Sequence, residues 1–173
     1  MTDQELQRLF EDVRTGAVDP AAASARVLHV LRTAPFEDLG FARVDTHREL
    51  RQGFPEVILG LGKTPAQIAA IASRIVARGQ ALLVTRATDE AFAAVQAIAP
   101  AAVHHAAARI ISLKQGDIPA GQGTVLIVCA GTSDLPVAEE AAVSADVMGN
   151  AVDRLYDVRV AGVHRVLLEQ GRL

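Results

Sequence analysis

The clearest pattern along the chain is an apolar run that ends in a polar turn. Residues 125–129, VLIVC, are continuously apolar and rich in β-branched side chains, which predicts a strand buried on both faces of a parallel sheet. Residues 131–134, GTSD, follow as a polar turn, and both Ser and Asp are common N-cap residues. Pro136 then predicts the first turn of a helix that runs through residues 137–152.

A second strand is predicted near residues 158–160, and a second polar turn follows it with Gly162, His164 and Arg165. Both turns would then lie at the carboxyl ends of parallel strands, which is where open α/β sheets bind their ligands. The free N–H groups at the start of the helix favour an anion there, most simply a phosphate. This stretch therefore predicts a strand–helix–strand unit with a ligand-binding edge.

The N-terminal part of the chain is predicted to be helical. Leu6, Leu9, Phe10 and Val13 recur at helical spacing within residues 2–16. Residues 20–33 follow Asp19-Pro20 and give a second helix with alanine and leucine on one side. We interpret these helices as docking or dimerisation elements.

Residues 36–63 are denser in side chains that can do chemistry. Residues 41–44 predict a strand, and Asp45, Arg48 and Arg51 follow at a spacing of three, which would place them on one face of a helical turn. Glu56 then opens a predicted strand over residues 56–59. Two open interpretations remain for the charged trio: one end of a ligand pocket, or a cluster of surface ion pairs.

The loop GLGKT, residues 60–64, precedes Pro65 and a long amphipathic helix that ends at Arg78-Gly79. It is not a P-loop, because that motif would need a glycine at position 57, where the chain has Val57. A glycine-rich turn, Lys63 and a helix N-terminus can still hold a phosphate or a carboxylate. The alternative is a solvated helix cap with a surface lysine.

The rest of the first 113 residues predicts an alternating α/β pattern. A strand is predicted within residues 80–85, a helix over 89–98, and two short strands near Val103 and residues 110–111. His104 and His105 are adjacent, so they do not face one way, and no ligand cluster at metal-binding spacing accompanies them. We therefore predict no metal site.

Glycine, proline and polar residues concentrate in residues 114–123, KQGDIPAGQG, which predicts a linker. The predicted organisation is an N-terminal helical segment over residues 1–35, a small α/β domain over 36–113, and a second, incomplete parallel-sheet domain over 124–173. A two-stranded parallel sheet cannot cover its own faces, so we expect the first domain or a partner to complete it.

Composition excludes several classes of function. The chain of 173 residues has a formal net charge of -3 and 3% aromatic residues without tryptophan, which argues against a nucleic-acid-binding face. One cysteine allows no internal disulfide and suits a cytoplasmic location. The acidic, amphipathic N-terminus is not a signal peptide, and no uninterrupted apolar stretch is long enough to predict a membrane span.

Two blocks of the sequence together resemble the LarB family. The first is ARVDTHRELRQGFPEVILGLGKTPAQI, and the second is GTSDLPVAEEA followed by AGVHRVL. The second block is also similar to PurE, the purine-pathway carboxylase/mutase, which lacks the first block. The resemblance covers roughly residues 36–173 and implies an α/β protein: a small N-terminal α/β domain followed by a partial PurE-like (flavodoxin-like) parallel-sheet domain.

The resemblance implies an activity in the synthesis of the nickel-pincer nucleotide cofactor. LarB proteins carboxylate the pyridinium ring of nicotinic acid adenine dinucleotide with CO2 or bicarbonate and hydrolyse its phosphoanhydride. The products are pyridinium-3,5-biscarboxylic acid mononucleotide and AMP. It further implies a dimer-based homo-oligomer, up to an octamer as in PurE, with no tightly bound cofactor and with Mg2+ as a candidate ion for hydrolysis.

Matching the two blocks to the family assigns roles to individual residues. Asp45, Asp134 and His164 are the implied catalytic residues. The implied substrate-binding residues are Arg48, Arg51, Glu56, Lys63, Thr64, Gly131, Thr132, Ser133 and Arg165.

The sequence also departs from the family pattern. In LarB proteins a cysteine in a C-terminal segment attacks the ring, and a further segment carries a glutamate; neither has a counterpart here. Cys129 lies within the predicted buried strand and is expected to be a core residue. We therefore expect this chain alone to be inactive in the full reaction. Two alternatives stay open: a PurE-type carboxylase/mutase acting on aminoimidazole ribonucleotide, and a non-catalytic nucleotide-binding module.

Overall fold

The computed structural model of the chain describes residues 3–32 and 36–158. The chain divides into two compact units between Glu56 and Val57. The elements of the first unit are α1 (Asp3–Arg14), α2 (Pro20–Arg32), β1 (Phe36–Asp38), β2 (Arg43–Asp45) and α3 (Arg48–Gln52).

In the first unit, the two predicted N-terminal helices are confirmed. Leu9 of α1 and Ala23 of α2 are buried among the side chains of this pair that the structure describes. Asp19 caps α2, because its carboxylate accepts hydrogen bonds from the amides of Ala21 (2.9 Å) and Ala22 (3.2 Å). The helices are thus set by an apolar stripe and by one capping side chain.

The strand predicted at residues 41–44 lies slightly later in the chain, at β2. It pairs antiparallel with β1, which the sequence did not predict, in the register Phe36↔Asp45. Asp45 is therefore the last residue of a strand, and the prediction that it shares a helical face with Arg48 and Arg51 is wrong. The reason is local: the Asp45 carboxylate accepts a hydrogen bond from the His47 amide at 3.0 Å and forms a turn that delays the helix.

The second unit carries the rest of the described chain. Its fold is of the α/β class, as predicted. Its elements are β3 (Ile58–Leu59), α4 (Pro65–Ala77), β4 (Leu82–Thr85), α5 (Asp89–Ile98), β5 (Val103–His105), β6 (Ile110–Leu113), β7 (Thr124–Val128), a 3-10 turn (Thr132–Asp134), α6 (Leu135–Val147) and β8 (Ala151–Leu155).

A four-stranded mixed sheet in the order β3-β4-β6-β5 forms the core of this unit. β3 and β4 are parallel, whereas β6 runs antiparallel to both β4 and β5. Helices α4 and α5 pack on each other, and Ile68, Ile75 and Val95 are their largest fully buried side chains. β4 lies inside the sheet, and its three apolar residues, 82–84, are buried, whereas Thr85 at its end is half-buried.

The predicted strand–helix–strand unit is present as β7-α6-β8, with its two strands parallel in the register Thr124↔Ala151. One boundary within it differs from the prediction. The helix ends at Val147 rather than at residue 152, and a parallel strand lies at residues 151–155. Most of the strand predicted near residues 158–160 falls outside the described residues. Gly149 ends the helix, since its φ of +89° is incompatible with a continuing right-handed helix.

The prediction that β7 is buried on both faces is wrong for the described part of the chain. Val125 is 37% exposed and Val128 is 48% exposed. Within residues 3–32 and 36–158, β7 pairs with β8 alone. One neighbouring strand and one helix cover less of an apolar strand than the flanking strands and two helical layers of a larger sheet would.

Helix α6 packs against β4 and β6 of the four-stranded sheet. Two ion pairs accompany this contact: Arg86 with Glu140 (3.5 Å) and Lys114 with Asp146 (2.9 Å). Gln115, in the predicted linker, donates hydrogen bonds to the carbonyls of Val76 (3.1 Å) and Gln80 (2.6 Å). The domain boundary at residues 114–123 stays a prediction. No helix within the described ranges is long and apolar enough to cross a membrane.

Candidate functional site

The parallel pairing of β3 and β4 brings two loops side by side at one edge of the sheet. The GLGKT loop follows β3 and leads into α4, and residues 86–88 follow β4 and lead into α5. Each loop ends in a threonine that caps the helix after it: Thr64 accepts a hydrogen bond from the Gln67 amide and Thr88 from the Ala91 amide, both at 3.2 Å. Two helix N-termini therefore meet the carboxyl edge of the sheet, as expected for a ligand-binding edge.

The sequence-predicted residues of the GLGKT loop have defined local roles. Gln67 also accepts a hydrogen bond from the Thr64 amide at 3.0 Å, which completes a capping box. The Lys63 ammonium donates a hydrogen bond to the Leu59 carbonyl at 2.8 Å, so the side chain folds back along its own loop. These hydrogen bonds fix the conformation of the loop. Thr64 acts as the predicted helix cap, and a role in binding remains a prediction for both residues.

Gly60 lets this loop approach the end of β4 closely. Its amide donates a hydrogen bond to the Thr85 carbonyl at 2.8 Å. A Cβ at this position would lie 2.9 Å from the Thr85 carbonyl oxygen and 3.0 Å from that of Arg86, and both are backbone atoms. A side chain could be accommodated only if one of the two loops moved.

We expect Gly60→Ala to lower the free energy of unfolding by about 1–3 kcal/mol, the usual cost of overpacking a closely fitted contact. Chemical denaturation monitored by circular dichroism would measure it. Ala66→Gly is a useful control, because Ala66 is an exposed residue in the first turn of α4. If Gly60→Ala left both stability and the amide exchange of residues 60–64 unchanged, the close approach would not be essential.

The second predicted turn, residues 131–134, follows β7 at its carboxyl end and begins α6. The Asp134 carboxylate accepts a hydrogen bond from the Gly131 amide at 3.2 Å, and the Asp134 amide donates one to the Gly131 carbonyl at 3.0 Å. The expected side-chain cap of α6 is absent: Asp134 occupies the N-cap position but bonds backwards across the turn. Thr132 and Ser133 are exposed, so their hydroxyl groups are accessible at the start of the helix.

The Cys129 side chain lies just before this turn and is 8% exposed, as predicted for a core residue. Its thiol is 3.9 Å from the Gly131 carbonyl oxygen. Cys129 therefore packs beneath the turn and stabilises its position.

Sequence reasoning missed a polar cluster on α6 and β8. The Tyr156 hydroxyl donates a hydrogen bond to Glu139 at 2.9 Å, and the Arg154 guanidinium lies 3.4 Å from the same carboxylate oxygen. Burial, together with this hydrogen bond to a carboxylate, raises the pKa of Tyr156. The adjacent glutamates of the AEEA segment were the available sequence signal. The partners of Glu139 lie elsewhere in the chain, at Arg154 on β8 and at Tyr156 just after it.

In the first unit the structure brings together two of the predicted acidic residues. The Asp45 amide donates a short hydrogen bond to the Glu56 carboxylate, although eleven positions separate the two residues. Arg48 is half-buried at the start of α3. The side chain of Arg51, and His164 and Arg165, lie outside the described residues. Asp45 and Glu56 thus form one local cluster, and their catalytic and binding roles stay predictions.

The histidine pair is engaged in separate structural contacts. The His104 ring stacks on Phe92 with a centroid separation of 4.8 Å, and its Nδ1 is 3.7 Å from the Asp89 carboxylate. His105 shares a hydrogen bond with the buried Ser112 hydroxyl at 2.9 Å, and burial lowers the pKa of His105. Among the residues that the structure describes, no group of three or more histidine, cysteine or acidic side chains is placed to hold a metal ion.

Comparison with known proteins finds a family match for part of the chain. Residues 36–115 match the family described as the LarB/PurE-like N-terminal domain. Over these residues the chain carries a LarB/PurE-like N-terminal domain. The resemblance inferred from the sequence is thereby confirmed over these residues, which include Asp45, Arg48 and the GLGKT loop.

A curated relative extends the similarity over more of the chain. The chain is 32% identical to the uncharacterized protein MJ0165 of Methanocaldococcus jannaschii, over 72% of this chain and 51% of the relative. The chain therefore spans about half the length of the curated relative it matches.

Proposed function

We propose that this LarB-family protein takes part in carboxylation of the pyridinium ring of nicotinic acid adenine dinucleotide and in hydrolysis of its phosphoanhydride. The products would be pyridinium-3,5-biscarboxylic acid mononucleotide and AMP. The observation that carries the proposal is the match of residues 36–115 to the LarB/PurE-like N-terminal domain. These residues include the sequence block ARVDTHRELRQGFPEVILGLGKTPAQI. PurE lacks that block, so it favours the LarB activity over the PurE activity.

The proposed reaction joins two electrophiles, so one of them must first be converted into a nucleophile. A pyridinium ring and CO2 do not react directly, because both accept electrons. A thiolate that adds to the ring turns it into an enamine-like nucleophile, which forms the new carbon–carbon bond with CO2. Loss of the ring proton and expulsion of the thiolate then restore the aromatic ring, so that the thiolate acts as a covalent catalyst. The buried Cys129 is not assigned this role.

In this proposal each unit is assigned binding chemistry from its own residues alone. In this proposal Arg48 pairs with the carboxylate of the nicotinate ring, because a guanidinium can bind a carboxylate through two parallel hydrogen bonds. Asp45, held by its contact with Glu56, acts near the ring. Ser133 and the amides at the start of α6 bind a phosphate, and the turn held by Asp134 keeps them in place.

The experiment is an incubation of the purified chain with nicotinic acid adenine dinucleotide, carbon-13 bicarbonate and Mg2+, followed by mass spectrometry. Because the ring chemistry needs a thiolate and Cys129 is not assigned that role, the chain alone is expected to form neither product. When the family's cysteine-bearing C-terminal segment is joined to it, the expected products are AMP and a mononucleotide that carries one labelled carboxylate. Aminoimidazole ribonucleotide is the matched control substrate, since labelled carboxylation of that compound instead would support the PurE-type alternative and contradict the proposal. Tight binding of the dinucleotide without either product, even with that segment present, would favour the non-catalytic binding module.

A further inference from the structure

Two arginines at the carboxyl edge of β4 have a backbone conformation that is unusual for their residue type. Arg86 has a φ of +51° and Arg109 a φ of +52°, in the left-handed region where non-glycine residues are uncommon. β4 and β6 pair in the register Val84↔Ile111, and continuing this register places Arg86 opposite Arg109. The Ala87 amide donates a hydrogen bond to the Arg109 carbonyl at 2.7 Å.

A buried alanine adjoins each arginine, and Arg109 ends the turn between β5 and β6, where its amide donates a hydrogen bond to the Ala106 carbonyl at 3.1 Å. Ala87, which follows Arg86, is 3% exposed, and Ala108, which precedes Arg109, is 2% exposed. The left-handed backbone conformation has its lowest free-energy cost with glycine or asparagine. Arginine at two facing positions therefore destabilises the fold locally. Such costs are found most often at functional sites, where the side chain has a use. Both arginine side chains are exposed.

Arg86 also connects this edge of the sheet to the helix that follows the GTSD turn. Its Nε lies 3.5 Å from the Glu140 carboxylate, in a pair whose arginine side chain is 51% exposed. An exposed pair of this kind contributes about 0–1 kcal/mol to stability and is readily exchanged. A guanidinium has five N–H donors, so a contact through Nε leaves donors that can meet a second anion. The ion pair with Glu140 therefore positions the Arg86 guanidinium and leaves N–H donors for a ligand.

We propose that Arg86 and Arg109 together bind a phosphate group of the nucleotide substrate at the carboxyl edge of β4. The edge also receives the N-termini of α4 and α5, whose amides and dipoles favour a negative charge. The acidic side chains nearby are Glu140, which Arg86 already pairs, Asp89, whose carboxylate lies against His104, and Glu90 in the first turn of α5. The identity of the nucleotide rests on the proposed function; the phosphate site does not.

The test is isothermal titration calorimetry of the whole chain with inorganic pyrophosphate, nicotinic acid adenine dinucleotide and nicotinate. The variants are Arg86→Asn and Arg109→Asn, because asparagine accepts a left-handed backbone and carries no charge. Each should weaken pyrophosphate and dinucleotide binding by roughly tenfold or more, as expected when a charged hydrogen-bond partner is lost. Nicotinate, which has a carboxylate and no phosphate, should bind all variants equally.

Two further variants separate binding from structure. Arg86→Lys restores the charge and should recover part of the lost affinity. Lys114→Gln removes the other ion pair that joins the sheet to α6, at the far end of that helix, and should leave pyrophosphate affinity within about twofold, as expected for an exposed pair that does not touch the ligand. Thermal unfolding of each variant within a few degrees of the parent would establish that the fold is intact.

Several results would overturn the proposal: no pyrophosphate binding by the parent chain, unchanged affinity in both asparagine variants, or a loss in only one of them. Equal losses of nicotinate and pyrophosphate binding would mean that the arginines hold a carboxylate instead. If pyrophosphate binding depends on both arginines but no labelled product forms in the carboxylation assay, then the proposed function fails and the phosphate site stands.

Discussion

Gly149→Ala is expected to lower the free energy of unfolding by about 2–5 kcal/mol. Part of this cost is the left-handed backbone, about 1–2 kcal/mol for a residue with a Cβ, since Gly149 has a φ of +89°. The rest is steric, about 1–3 kcal/mol for an overpacked contact. A Cβ here would lie 2.5 Å from the Pro119 carbonyl oxygen and 3.0 Å from a methyl of Ile118.

Gly123→Ala is the matched control for this prediction. Gly123 has a φ of +76°, but no atom lies within 4 Å of the position that a Cβ would take. Its substitution should therefore cost only the backbone part, about 1–2 kcal/mol. Urea denaturation of both variants gives the two free energies, and their difference isolates the contact with residues 118–119. Equal losses would mean that this contact yields easily, contrary to the prediction.

The same glycine explains why the sequence-based boundary of α6 was wrong. The Gly149 amide donates to the Asp146 carbonyl and the Asn150 amide to the Ala145 carbonyl, both at 3.0 Å. This pair of bonds is the Schellman arrangement that ends many helices at a glycine. The signal was thus present in the sequence, but helix-compatible residues on both sides of Gly149 outweighed it. Ala151–Leu155 becomes a strand because it pairs with β7, which no local pattern reveals.

Locally encoded parts of the candidate site were predictable, and parts made by distant residues were not. The cap of α4 could be inferred because Thr64, Pro65 and Gln67 adjoin one another in the chain. The bond between Asp45 and Glu56, in contrast, closes a loop of eleven positions and has no sequence pattern. Residue type alone could identify both side chains as candidates, but not their contact.

Arg86 illustrates the same limit more strongly. No propensity rule predicts a left-handed arginine, because the conformation follows from packing of Ala87 and its hydrogen bond to the Arg109 carbonyl. β4 is largely buried whereas β7 is partly exposed, although both strands consist mainly of apolar residues. An apolar sequence shows that a strand can be buried. How much of its surface is actually buried depends on how many strands and helices lie next to it.

Leu82→Ala is expected to lower the free energy of unfolding by about 2–5 kcal/mol, because it removes buried methyl groups and leaves a cavity that the neighbours fill only in part. Leu82 is 0% exposed in the central strand β4, and it faces Leu113 of β6 in the sheet register. Any relaxation would have to move β4, whose carboxyl end carries the close contact with Gly60. The contact with Gly60 therefore limits how far β4 can move to fill the cavity, and the loss of stability is not reduced by relaxation.

Leu61→Ala makes the same chemical change in the GLGKT loop, where the side chain is 58% exposed, and should alter stability by no more than about 0.5 kcal/mol. Guanidinium denaturation monitored by far-ultraviolet circular dichroism measures both variants, and an unchanged denaturant dependence would indicate that the unfolding transition is the same. A loss below about 1 kcal/mol for Leu82→Ala would be smaller than core truncations normally give. It would mean that β4 can shift without penalty and that the edge carrying Gly60 and Arg86 is more adaptable than its packing indicates.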